Sequence, residues 1–259
     1  MERALYIFDL DGVIYRGNTP QPFAAETIER IRREGSRVFF LTNNASLSRK
    51  DVSNKLTRLG VPASPDEVMT SSFATGLWFR EHGAIGKRVM IIGEKGCFDE
   101  LSAAGMQVFS PDDTTDVDFV VVGIDRSFNY HKLNCAQQAI LKGATFIATN
   151  RDPTYPREDG VSPGGGSIVA AVATASGQEP ITIGKPETYT IRKILDLTGV
   201  DRSDAVMVGD RLDTDILVGN RAGVHTLLVL GGVCTREEAE EAQGDLRPGG
   251  IIENLGQLR

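Results

Sequence analysis

The sequence predicts an α/β fold, a doubly wound parallel sheet interrupted by an inserted second α/β unit. Three observations carry this. The apolar runs LYIF (5–8), VFFL (38–41) and AVMV (205–208) are unbroken, which suits central parallel strands covered on both faces. Helical patterns closed by glycine follow them, ending at Gly35, Gly60 and Gly223. The β–α alternation starts afresh near residue 80, and the first pattern returns after residue 180. The expected division is a Rossmann-like core of residues 1–79 and 181–259 with an inserted α/β domain of residues 80–180.

The elements follow in order. Strand 4–13 ends abruptly in Asp9, Asp11 and Gly12. Ala24, Ile28 and Ile31 share a face of a helix over 22–34. Strand 36–44 ends in Thr42, Asn43 and Asn44, and Ser48 caps the next helix, with Asp51 in the capping-box position. Ser64-Pro65-Asp66-Glu67 is a helix start signal, and the helix it announces, or one shortly after, runs towards Trp78 and ends near Gly83. In the insert, strands are expected at 87–93, 118–125 and 144–150, and helices at 95–104, 130–142 and 167–176. Between the last strand and the last helix lies a Pro/Gly-rich loop, 151–166. Residues 180–186 read as a short strand ending in Lys185, followed by a helix over 187–198. Strand 204–210 ends in Asp210, a helix spans 214–222, strand 224–230 follows, and a polar helix covers 237–243.

Bulk properties narrow the function. The 259 residues are 41% hydrophobic, enough for a sizeable core. A net charge of −7 argues against nucleic acid or an anionic membrane as the main partner. No apolar run is long enough to span a membrane, and the first residues enter a strand without a leader pattern, so a cytoplasmic protein is expected. Cys97, Cys135 and Cys234 are odd in number and far apart, which reads as free thiols. His82, His131 and His225 are too scattered for a metal site.

Four strand ends carry chemistry: Asp9 with Asp11, Thr42 with Asn43, Lys185, and Asp210 with Asp213 and Asp215. In a parallel sheet such ends share one edge, where ligands bind. Carboxylate oxygens with water suit Mg²⁺, a hard cation. A lysine and a hydroxyl–amide pair suit phosphate oxygens, and a remaining aspartate can attack phosphorus. A carboxylate meeting a phosphate at roughly 4 Å is repelled by about 4 kcal/mol at an effective dielectric near 20. Both Mg²⁺ and Lys185 are therefore needed to reverse that sign. Asp213 reads equally well as a site residue or as a helix N-cap.

The motifs DLDGV, LTNN, GKP and GDRLDTD, in this order, resemble the four motifs of the haloacid dehalogenase superfamily of aspartate-nucleophile phosphatases. The insert between the second and third motifs, and the stretch 145–171 within it, resemble the type 2 cap of the NagD/4-nitrophenylphosphatase-like branch. The resemblance implies Asp9 as nucleophile, giving an aspartyl-phosphate, and Asp11 as the acid that protonates the leaving alcohol and then activates water. It implies Mg²⁺ held by Asp9, Asp210 and the Asp11 backbone carbonyl, with Asp215 behind. Thr42 and Asn43 would grip the phosphoryl group, Asn44 would offer a backbone contact, and Lys185 would neutralise Asp9 and the phosphate. The cap loop after Asn150 would shape leaving-group choice, making Asn150 and Asp152 candidate substrate contacts and Tyr155 and Arg157 candidates at the pocket mouth. Asp125, Asn150 and Asp152, also at strand ends, are decoys for the catalytic centre itself. The expected substrates are small phosphomonoesters such as 4-nitrophenyl phosphate, phosphoglycolate, glycerol phosphate or nucleoside monophosphates. A homodimer through the cap fits the resemblance. The rival readings are a phospho-accepting signalling domain, a sugar phosphomutase of the same superfamily and an inactive phosphate-binding protein.

Overall fold

The computed structural model describes residues 3–114, 116–157, 160–231 and 233–258, without the side chains of 156 and 157. Six parallel strands form the first sheet, in the order Gly250–Ile252, His225–Val229, Ala205–Gly209, Leu5–Phe8, Arg37–Thr42, Val68–Thr70. Leu5–Phe8 lies inside the sheet and every one of its residues is buried, as the unbroken apolar run requires. Its register places Phe8 beside both Val208 and Phe40, so the residues that follow all three strands emerge at one edge. The Asp9 N–H still donates to the Val208 carbonyl at 2.9 Å, which fixes the nucleophile candidate at the last rung of the ladder.

The helices follow their capping signals. Ala24–Arg33 buries Ala24, Thr27, Ile28 and Ile31. Arg49–Arg58 starts at Ser48, whose hydroxyl accepts from the Asp51 N–H at 3.2 Å. Of the two expected starts, at Ser64 or shortly after, the helix takes the later one. Ser64 and Glu67 do form a capping box, but over a single 3₁₀ turn, Pro65–Glu67. The chain then makes the edge strand Val68–Thr70 before the helix Ser71–Glu81. Three residues are too few for a strand pattern to show against the helical one.

The second sheet is also parallel, in the order Ile181–Thr182, Thr145–Ala148, Phe119–Val122, Arg88–Ile92, Gln107–Phe109. It corrects one expected boundary. Residues 181 and 182 were assigned to the core, yet Ile181 pairs with Ile147 and Thr182 with Ala148. The Ile183 and Gly184 N–H groups continue that pairing onto the Ala148 and Thr149 carbonyls, at 3.1 and 2.9 Å. Lys185 is thus delivered by the edge of the second sheet rather than by a strand of the first. The loop expected at 151–166 holds an antiparallel pair, Thr154–Arg157 with Gly160–Pro163. A small pair, Tyr15–Arg16 with Thr19–Pro20, follows the first acidic turn. One apolar cluster joins the two sheets, from Leu5 and Ile7 through Phe79 and Ile191 to Ile91, Val121 and Ile147. Among the described residues no helix is long and apolar enough to cross a membrane. The three cysteines are free thiols.

Candidate active site

The edge of the first sheet carries a buried acidic cluster. Asp9, Asp210 and Asp215 each bring a carboxylate oxygen within 4.8 Å of the others. The Lys185 ammonium bridges two of them, reaching Oδ1 of Asp9 and Oδ1 of Asp215 at 2.6 Å each. Asp215 is returned to the site by a π-helical turn, Leu212–Ile216, and its Oδ2 accepts from the backbone N–H groups of Asp210 and Arg211 at 3.1 and 3.2 Å. Asp215 is therefore fully engaged with the protein. Asp210 is not. Both its carboxylate oxygens are buried without a well-formed hydrogen bond, and the Val233 N–H offsets that burial only slightly.

Three carboxylates share one ammonium, so the cluster is short of positive charge. Oxygen donors, an orphaned Asp210 and the nearby Asp9 fit a hard divalent cation such as Mg²⁺. Gly12 completes this corner. Its φ is +97°, and a Cβ there would lie 2.1 Å from Oδ2 of Asp210, so only glycine lets that carboxylate come so close to the Asp11–Gly12 turn.

Burial raises the Asp9 carboxyl well above its ordinary range, with Lys185 pulling it back and Asp215 and Asp210 adding to the rise. Asp210 is pushed up to about 7, first by burial and then by Asp215. Lys185 is raised by the two carboxylates, against the effect of its own burial. A folded-state carboxyl near 7 binds its proton more tightly than the unfolded group does. The metal-free protein therefore loses stability as pH rises from the ordinary carboxyl range through about 7. A cation competes with that proton. Thermal unfolding with and without saturating Mg²⁺ should show a Tm increase at least about 3 °C larger near pH 8 than near pH 5. An equal increase at both would contradict it.

Asp11 stands apart from the metal cluster. Burial raises its carboxyl, partly offset by Lys55 and then Lys185. A raised carboxyl suits a proton donor. Asp213 is not a helix N-cap. It is exposed, caps nothing, and pairs with Arg211 at 3.0 Å.

The amide residues also differ from expectation. The Asn43 side chain, expected to grip a phosphoryl group, is spent on the protein. Its Nδ2 donates to Asp152 Oδ1 and Oδ2 and to the Lys185 carbonyl at 3.0, 3.1 and 2.9 Å, while its Oδ1 accepts from the Lys185 N–H at 2.9 Å. Asn150 donates to the Asn43 carbonyl at 2.8 Å and accepts from the Asp152 N–H at 3.1 Å. Asn43, Asn150 and Asp152 thus form a polar clasp that joins the two sheets and fixes the Lys185 backbone. All three line the cavity, and the Asn43 and Asn150 amides are bonded within the protein. Asn44 is a turn former, its Oδ1 accepting from the Ser46 N–H and hydroxyl at 2.8 and 2.7 Å. The Thr42 hydroxyl caps the same turn by accepting from the Asn44 N–H at 3.0 Å. Asp125 is held by Ser127 and Lys132.

Two family models match the chain. A haloacid dehalogenase-like hydrolase model covers residues 6–107 and a HAD-hydrolase-like model covers 182–258. An acid sugar phosphatase from Staphylococcus saprophyticus is 39% identical over 236 residues, covering 91% of this chain and 90% of its own. The chain belongs to the haloacid dehalogenase-like hydrolases. Phosphoglycolate phosphatase 1A of Arabidopsis thaliana is 38% identical, covering 94% of this chain and 73% of its own. Among solved structures, the p-nitrophenyl phosphatase from Archaeoglobus fulgidus superposes with a TM-score of 0.91 at 33% identity, covering 100% of this chain and 98% of that one. A glycerol phosphate phosphatase from Mycobacterium tuberculosis in complex with magnesium gives 0.92 at 36% identity, covering 100% and 77%. Within the family, the chain groups with the NagD/4-nitrophenylphosphatase-like phosphatases, as its motifs implied.

In this member of the family the acidic cluster floors a cavity of about 620 Å³ between the two sheets. Ile124 and Arg126, which follow Phe119–Val122 of the second sheet, and Thr154 and Tyr155, from the antiparallel pair, contribute to its wall. Tyr155 lines the cavity and Arg126 packs against it, while the Arg157 side chain lies outside the described residues. Lys55, Arg126 and Arg211 escaped the sequence reading. Lys55 and Arg126 look like ordinary surface cations, and Arg211 is hidden inside a motif read for its acids.

Proposed function

We propose that the chain is a Mg²⁺-dependent phosphatase that hydrolyses small organic phosphomonoesters through an aspartyl-phosphate on Asp9. The observation that carries this is the Asp9–Lys185–Asp215 bridge beside an unpartnered, buried Asp210, all on the floor of one cavity. Lys185 engages only Oδ1 of Asp9, and Oδ2 accepts no hydrogen bond from the described residues. That oxygen is the one able to attack phosphorus. Asp11, its carboxyl raised by burial, donates a proton to the leaving oxygen and then removes one from the water that cleaves the acyl phosphate. Lys185 holds Asp9 in place and offsets its repulsion of the phosphoryl oxygens. Asp9, Asp210 and the Asp11 carbonyl, with Asp215 behind, would hold Mg²⁺, which would supply the remaining positive charge. The polar clasp of Asn43, Asn150 and Asp152 keeps Lys185 registered with the acids.

The relatives' names span an acid sugar phosphatase, a phosphoglycolate phosphatase, a p-nitrophenyl phosphatase and a glycerol phosphate phosphatase. All of these name small organic groups, which supports a small organic leaving group here. Phosphate release from 4-nitrophenyl phosphate is the direct test. Activity should appear with Mg²⁺, fall at least about 100-fold with excess EDTA, and return when Mg²⁺ is restored. Full turnover in EDTA would contradict the reading.

A further inference from the structure

Four cations line the cavity among the described residues, and three already have an anionic partner. Lys185 bridges Asp9 and Asp215 at 2.6 Å each. Arg211 pairs with Asp213 at 3.0 Å, and Arg126 with Glu94 at 2.6 Å. Lys55 is the exception. Its Nζ lies 3.6 Å from the centroid of the Tyr15 ring, and no carboxylate of the described residues is within ion-pairing distance. Tyr15 is buried in the core under the first sheet, so this ring fixes the ammonium without neutralising it. Lys55 is itself partly buried, and that burial disfavours its charge, while the charge of Asp11 partly opposes this. A partly buried cation with no carboxylate of the described residues in contact, in the same cavity as the proton donor, is a ready site for an anion carried by the substrate.

The phosphoryl group already has Lys185 and the metal ligands. A second anion must therefore belong to the leaving group. One unmatched ammonium matches a singly charged group better than a second phosphate, which would bring two charges to one.

We propose that Lys55 determines leaving-group specificity, and that the preferred substrates are phosphate esters of small hydroxy acids whose carboxylate Lys55 receives. The proposal rests on the phosphatase reading and deepens it. Lys55 is a specificity residue here and takes no part in the bond making.

The test compares wild type, Lys55→Met and Lys55→Arg on two pairs of substrates with Mg²⁺. The first pair, 2-phosphoglycolate and 3-phosphoglycerate, has a carboxylate on the leaving group. The second pair, glycerol 3-phosphate and 4-nitrophenyl phosphate, has none. Wild type should favour the first pair. Lys55→Met should lose about 10- to 100-fold in kcat/KM on that pair, mainly through KM, and less than about 3-fold on the second. Lys55→Arg should recover part of the loss. An equal loss on both pairs would mean that Lys55 serves Asp11 or the fold, and would overturn the proposal, as would no loss on either. Wild type that hydrolyses only the pair without a carboxylate would also overturn it while leaving the phosphatase reading intact. A folded wild type inactive on all four would sink that reading, and the proposal with it.

Discussion

Asp9→Asn should abolish turnover, lowering kcat by about 10⁴-fold or more, in line with the loss of a covalent nucleophile. The substitution keeps the shape of the side chain, and the Asp9 N–H still has the Val208 carbonyl to bond, so the strand end should persist. What is removed is the anionic oxygen left open by Lys185. Stability should not fall, because one buried carboxylate among three is neutralised while Lys185 keeps Asp215. Circular dichroism and thermal unfolding alongside the assay separate lost chemistry from lost fold. A variant retaining even a tenth of wild-type kcat would place the nucleophile elsewhere.

Lys185→Met should damage both activity and stability. The ammonium is buried between two carboxylates, and removing it leaves Asp9, Asp210 and Asp215 together without a cation. Breaking a buried pair by deleting one partner costs about 3–5 kcal/mol. For a chain of this size that corresponds to a fall in Tm on the order of 10 °C. The deficit has a pH signature. Asp9 is already raised by burial, and loss of its principal cation raises it further. A group whose folded carboxyl is raised destabilises the fold as pH climbs through that value, so the deficit should be smaller in acid and grow towards neutrality. Mg²⁺ should recover part of the Tm, and kcat should stay at least about 100-fold down. A variant as stable as wild type at neutral pH would show that the bridge carries no weight.

Much of the fold was legible because buried parallel strands announce themselves. The runs LYIF, VFFL, VMII, FVVV and AVMV are too apolar to be anything exposed, and glycines mark where the helices stop. Strands of two or three residues carry no such signal, which hid Val68–Thr70, Gln107–Phe109 and Gly250–Ile252. Ile181–Thr182 was visible as a strand, but two residues say nothing about which sheet they join. Their pairing with Thr145–Ala148 depends on a fold-back that only the three-dimensional path reveals.

The site divides in the same way. Asp9, Lys185, Asp210 and Asp215 were readable because acids and a lysine stood where apolar runs stopped. The roles of Asn43, Asn150 and Asp152 were not. Their partners lie 107 to 142 residues away, and an amide that holds a backbone looks the same in sequence as one that holds a phosphate. Lys55 was hidden for another reason. A lysine on the half-exposed side of an amphipathic helix is normally solvated, and only the small Tyr15–Arg16 and Thr19–Pro20 pair, following the acidic turn, brings the Tyr15 ring under its ammonium.

The central claim is that phosphorus passes through Asp9. Acid quench of the Asp11→Asn variant with substrate and Mg²⁺, followed by borohydride reduction and peptide mass spectrometry, tests it most directly. Without Asp11 to activate water the acyl phosphate should accumulate, and reduction should convert residue 9 alone to homoserine. Steady turnover with residue 9 unmodified, or modification at another acid, would contradict the account.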